Sequence, residues 1–172
     1  LQEELRTPHL RLYTNADPVG TEAAAALKNV MAIAAGVSDG LGLGANAKAS
    51  LLCRGLAETG LVLKGLGGQP GTLYGLAGLG DLLATANSSL SRNYRFGLLL
   101  AEGVSAAAAQ ERIQATVEGP GTARAALKLA EREGWSLPIC RQVVDLLDGR
   151  LSAPEAVRHL MEREPRPEEP RW

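Results

Sequence analysis

The stretch Gly75–Gly97, GLAGLGDLLATANSSLSRNYRFG, gathers an acid (Asp81), a hydroxyl (Thr85) and a Ser91-Arg92-Asn93 triplet among glycines and apolar residues. That mix suits a positioned anionic ligand. Lys28 and Asn29 complement it, being the only polar residues between Ala23 and Val37. An ammonium in such a helix needs a carboxylate, a carbonyl or a cavity. Partial desolvation moves a lysine toward the neutral range where general acid–base catalysis operates. The alternative is a lysine that snorkels from the helix edge to solvent. Asp81 and Thr85 stand at i and i+4 and share a face if the segment is helical. Asp81 then pairs with Lys28, or caps the helix that begins after Gly80, and the two roles are compatible. Ser88–Asn93 leads into a helix, whose free N–H groups and the Arg92 fork suit a phosphate. A serine N-cap beside a surface arginine explains the same residues.

The elements that must hold these groups are helices. Leu27, Val30, Met31 and Ala34 predict a helix over Glu22–Val37, and Leu51, Leu52, Leu56 and Leu63 predict another over Ala47–Lys64. Further helices are expected at Arg92–Glu102, Thr122–Arg132, Pro138–Leu147 and Ala153–Glu162, with Thr122 and Ser152-Ala153-Pro154 as starts. Gly and Pro clusters at 40–44, 65–71 and 119–121 are expected to break the helices. His9–Thr14 alternates like a short strand, and one strand alone is not stable. Residues 165–172 are too rich in proline and charge to pack and are expected to form a loose tail. Gly42-Leu43-Gly44-Ala45-Asn46-Ala47 matches G-x-G-x-x-A, but it follows a helix rather than a strand, so we read a turn between two close helices.

Composition narrows the classes. A chain of 172 residues has room for one domain with a core. Eighteen Lys and Arg against 19 Asp and Glu leave a net charge of -1, with no basic stripe for nucleic acid. Aromatics at 3% offer no base-stacking platform. Cys53 and Cys140 read as buried reduced thiols, and His9 and His159 have no metal-ligand companions. The N-terminus carries no secretory pattern, and the longest apolar run is too short to span a bilayer. A soluble, cytoplasmic chain is expected.

Taken in order, Ala26-Leu27-Lys28-Asn29-Val30, Gly40–Lys48, Gly75–Leu82, Leu90-Ser91-Arg92-Asn93 with Arg95-Phe96-Gly97, and Val117-Glu118-Gly119 resemble the C-terminal domain of the NAD(P)-dependent glycerol-3-phosphate dehydrogenases. The resemblance runs from about Leu10 to Met161. It implies an all-α, multi-helix fold like the 6-phosphogluconate dehydrogenase C-terminal domain, over residues 19–164, with residues 1–18 left from the last strand of an absent Rossmann domain. It implies reduction of dihydroxyacetone phosphate to sn-glycerol 3-phosphate, for glycerophospholipid synthesis. Lys28 would be the catalytic acid/base, and Asn29, Asp81, Thr85, Ser91, Arg92 and Asn93 would bind or order the substrate. Arg92, Thr116 and Glu118 would touch NAD or NADP, whose site is mostly in the missing domain. The implied partners are that domain and a second copy in a homodimer, and the chain alone should be inactive. A helical association module without catalysis, and a related two-domain hydroxy-acid dehydrogenase, are the alternatives.

Overall fold

The computed structural model describes residues 1–164. Helix α1 (Pro18–Gly40) is its axis. Asp17 caps α1 by accepting the Gly20 N–H at 2.9 Å, and Pro18 brings a preset φ to the first turn. Val30, Met31, Ala32, Ile33 and Ala35 are wholly buried, as befits a helix apolar on every side. Around α1 lie α2 (Ala45–Gly65), α3 (Asp81–Ala86), α4 (Arg92–Ala101), α6 (Gly119–Glu133) and α7 (Pro138–Leu147). Helix α5 (Ala106–Ile113) leans on α4, and α8 (Ala153–Met161) on α7. Between α2 and α3 the chain makes a 3₁₀ turn (Pro70–Tyr74) and a π-helical turn (Leu76–Gly80).

Helices α1 and α4 cross almost backbone to backbone. A Cβ at Gly36 would lie 2.1 Å from the Tyr94 carbonyl oxygen, and one at Gly97 would lie 2.1 Å from that of Ile33. Only glycine allows this approach. At the far end of the crossing, Asp39 Oδ2 accepts from Lys48 Nζ and from the Tyr94 hydroxyl, each at 2.6 Å. Burial pushes the Asp39 carboxyl up, yet these donors hold it below its usual range. The same hydrogen bond pushes the Tyr94 phenol up to about 12.

A second long-range tie joins α2 to α7. Leu137 precedes α7 and cannot cap it, so the buried Glu58 accepts the N–H groups of Ile139 at 2.6 Å and Cys140 at 3.2 Å. Burial nevertheless pushes Glu58 up to about 7. Burial, reinforced by Glu58, also raises the Cys140 thiol.

The six helices expected from periodicity are present, with ends shifted by up to four residues, and Pro138–Leu147 matches. The link at Leu41–Gly44 is a turn, with positive φ at Gly42 and Gly44. Four expectations need correction or extension. His9–Thr14 is not a strand: Thr7 and Leu10 form one isolated bridge, and no described residue offers an edge to pair with. The cluster Gly119–Gly121 opens α6 instead of breaking a helix, because Pro120 needs no N–H partner in a first turn. Cys53 is exposed, lying on the outer face of α2. Helix α5 was not anticipated: Ser105 caps it by accepting from Ala108 N–H, but its Ala-rich sequence lacks a clear apolar stripe. The tail at 165–172 lies outside the described residues. Among the described residues no helix is long and apolar enough to cross a membrane.

Candidate active site

Lys28 projects from the middle of α1, and its ammonium meets Asp81 Oδ2 at 2.5 Å. The pair is neither buried nor open, with side chains 21% and 35% exposed. Asp81 is the first residue of α3 and its side chain makes no capping bond to the backbone. Its second oxygen accepts from Thr85 Oγ1 at 3.1 Å, one turn on. Of the two roles open to Asp81, the structure therefore has the ion pair. The carboxylate is held by a cation on one oxygen and a hydroxyl on the other.

The next residue along α1, Asn29, faces a different network. Asn29 Nδ2 donates to Glu118 Oε2 at 3.1 Å. Asn29 Oδ1 accepts from Asn93 Nδ2 at 3.0 Å, and Asn93 Oδ1 accepts the Gly119 N–H at 2.9 Å. Since Glu118 and Gly119 are adjacent, the three side chains close a ring that joins α1, α4 and the start of α6. The ring has one direction. A carboxylate can only accept and a backbone N–H can only donate, so both amides are fixed in orientation. A Cβ at Gly119 would lie 2.7 Å from Asn93 Oδ1 and 2.9 Å from the Asn29 carbonyl oxygen, which is why glycine closes it.

Ser91 caps α4, its Oγ accepting from Tyr94 N–H at 3.2 Å. That leaves its own O–H to donate outward. Arg92 is exposed and forms no ion pair among the described residues. Thr116 is also exposed, in the link between α5 and α6, two residues before Glu118. The structure thus brings Lys28, Asp81 and Thr85 together, and Asn29, Asn93 and Glu118 together, with Ser91 and Arg92 flanking Asn93. It hydrogen-bonds neither Arg92 nor Thr116 to any of them. Asn93 is buried, and one N–H and one lone pair of its amide are used by protein. Sequence reasoning did not pair Asn29 with Asn93, and it missed that Gly119 contributes a backbone N–H. The polar Asn29 in an apolar helix was the only sign of the former.

Comparison with known proteins gives this arrangement a context. Residues 17–158 match the model of the NAD-dependent glycerol-3-phosphate dehydrogenase C-terminus. The chain belongs to this family. A glycerol-3-phosphate dehydrogenase (NAD(P)+) from Synechococcus sp. (strain RCC307) is 60% identical over 164 residues, which is 95% of this chain and 54% of that protein. One from Aromatoleum aromaticum is 51% identical over 165 residues, again 95% of this chain and 50% of the relative. The crystal structure of glycerol-3-phosphate dehydrogenase from Coxiella burnetii superposes with a TM-score of 0.89 at 43% identity, covering 94% of this chain and 50% of that one. The chain spans about half the length of the curated relatives it matches. As a glycerol-3-phosphate dehydrogenase C-terminal domain it is all-α among the described residues, as the resemblance implied.

Proposed function

We propose that this chain is the substrate-binding and catalytic-lysine half of an enzyme that interconverts dihydroxyacetone phosphate and sn-glycerol 3-phosphate with NAD or NADP. The 2.5 Å contact between Lys28 and Asp81 carries the reading. Lys28 donates a proton to the substrate carbonyl oxygen as it becomes an alkoxide, and takes it back in the reverse direction. Asp81 holds the ammonium in place, and Thr85 holds Asp81. Ser91 with its outward O–H, the Arg92 guanidinium and the start of α4 suit the substrate phosphate. Asn93 contributes its remaining N–H or the second lone pair of Oδ1, and acts with Asn29 mainly to set the register of α1 against α4.

The nicotinamide cofactor supplies or accepts hydride when bound. The exposed groups on this chain fit part of a dinucleotide. Arg92 suits a phosphate, and Glu118, exposed with one carboxylate oxygen outside the ring, suits ribose hydroxyls, with Thr116 nearby in sequence. The rest of the cofactor site belongs, on this reading, to the half of the relatives that this chain does not cover. A cytoplasmic setting, a homodimer and a supply of sn-glycerol 3-phosphate to glycerophospholipid synthesis are part of the same proposal, supported by the family alone.

The test is Lys28→Ala in this chain joined to its N-terminal half. Loss of an acid–base group lowers turnover roughly 10²–10⁴-fold. Normal turnover of dihydroxyacetone phosphate by that variant would sink the acid–base role.

A further inference from the structure

Two ties join α1 to the chain between α2 and α3, and only one of them is in the catalytic pair. The other is Asp17. This carboxylate is 5% exposed. Its Oδ1 accepts the Gly20 N–H at 2.9 Å, while its Oδ2 accepts the Gln69 N–H and the Thr72 hydroxyl, both at 2.7 Å. Lys28 stands eleven residues further along the same helix, about 16 Å away at 1.5 Å per residue. Between the ties, residues 69–81 run along α1 in the direction of the helix.

That segment is irregular at its start: a 3₁₀ turn and a break at Gly75 precede the π-helical turn, which then runs directly into α3 with the Asp81 N–H bonded back to Leu76 and Gly78. Lys28–Asp81 is too exposed to anchor it, since ion pairs in contact with solvent add little. Past Asp81, Leu82 and Ala86 bury α3 in the main core, and the start of the segment is anchored as well. Thr72 and Leu73 are buried, and Leu73 packs in a small core of its own with Ala23 and Leu63. The hydrogen bonds to Asp17 are charge-assisted and dry. They also draw its carboxyl below the usual range, the Thr72 hydroxyl most of all, so the group stays ionised.

We infer that Asp17 is a positioning residue for the reaction: by gripping Gln69 and Thr72 it sets where the following turns deliver Asp81, and hence how Lys28 is aimed. The inference rests on the proposed role of the Lys28–Asp81 pair. Because the two carboxylate oxygens divide the work, the cap on α1 and the grip on the turn can be separated. Asp17→Asn keeps an oxygen for the Gly20 N–H and presents an amide to Gln69 and Thr72. Thr72→Val removes one hydroxyl while nearly preserving shape.

The experiment measures kcat, both KM values and melting temperature for this chain joined to its N-terminal half. Asp17→Asn, Thr72→Val, Asp81→Asn and the Asp17→Asn/Asp81→Asn pair are compared with wild type. We expect Asp17→Asn and Thr72→Val to lower kcat roughly ten- to a hundred-fold per folded molecule, the scale of a misplaced catalytic group, with KM for the cofactor unchanged. In the Asp81→Asn background the further loss from Asp17→Asn should nearly vanish, because there is no carboxylate left to aim. If Asp17→Asn lowers only the melting temperature, or its loss multiplies fully with that of Asp81→Asn, Asp17 is merely structural and the inference falls alone. If Asp81→Asn itself turns over normally, the catalytic reading falls and takes this one with it. Should Asp17→Asn fail to fold, Thr72→Val in the two backgrounds decides by the same criteria.

Discussion

Asn29 and Asn93 show how much a side chain's neighbours restrict what it can do for a ligand. Each looks like a free hydrogen-bonding group in the sequence, and each is instead one link in a ring whose polarity is set by Glu118 and the Gly119 N–H. Reversing one link should be costly. Asn93→Asp is nearly isosteric, yet it sets a carboxylate oxygen against Asn29 Oδ1 where a donor stood. We expect a loss of about 1–3 kcal/mol of stability at neutral pH, the cost of leaving buried polar groups mismatched, read as a lower urea midpoint. An unchanged midpoint would mean that the ring does not organise the fold. Lys28 behaves differently: its partner is a single carboxylate, and its side chain is partly exposed.

Helices α1 and α4 bring these groups together by crossing backbone to backbone at Gly36 and Gly97. With the Cβ of residue 97 barred by the Ile33 carbonyl oxygen, even one methyl group must push the helices apart. The clash in Gly97→Ala should therefore destabilise this chain by about 1–3 kcal/mol, as overpacking of a tight core does. The roughly 1 kcal/mol that alanine gains over glycine from helix propensity offsets part of this cost, leaving a net loss of up to about 2 kcal/mol. Thermal or urea denaturation checks the sign, and a stabilised variant would refute the close crossing. The same displacement would pull Asn93 from Asn29, so binding of sn-glycerol 3-phosphate by the joined protein should weaken as well. Periodicity found these helices because their apolar stripes are strong. The short α3 and the turns before it left no period to detect, because they are too short for one and are held by the grip of Asp17 and the burial of Leu73, Leu82 and Ala86.

Glu58 links the two sides of the molecule, and its charge makes that link sensitive to pH. Its carboxyl is near 4.5 when unfolded and is pushed up to about 7 when folded, chiefly by burial. Between those values the folded chain binds the extra proton, so stability falls as pH rises from about 4.5 to about 7 and levels off above. Asp17, Asp39 and Glu155 are shifted the other way, and their contributions are lost only as pH falls below the ordinary carboxylate range. Glu58→Gln should flatten the upper slope, a difference of roughly 1–3 kcal/mol between pH 4.5 and 7.5 given about 1.4 kcal/mol per unit. Urea midpoints of both proteins across that range test it, and parallel profiles would exclude Glu58 as the cause. The helical class, most helix positions, the Lys28–Asp81 pairing offered as one role of Asp81 and the family were readable from residue order, because apolar period and short motifs are local properties of a chain. Which oxygen of Asp81 meets Lys28, the closed amide ring, the exposure of Cys53 and the grip of Asp17 on Thr72 were not. Those contacts join residues as much as 89 positions apart, and their partners are chosen by how helices cross around α1 rather than by anything written beside them.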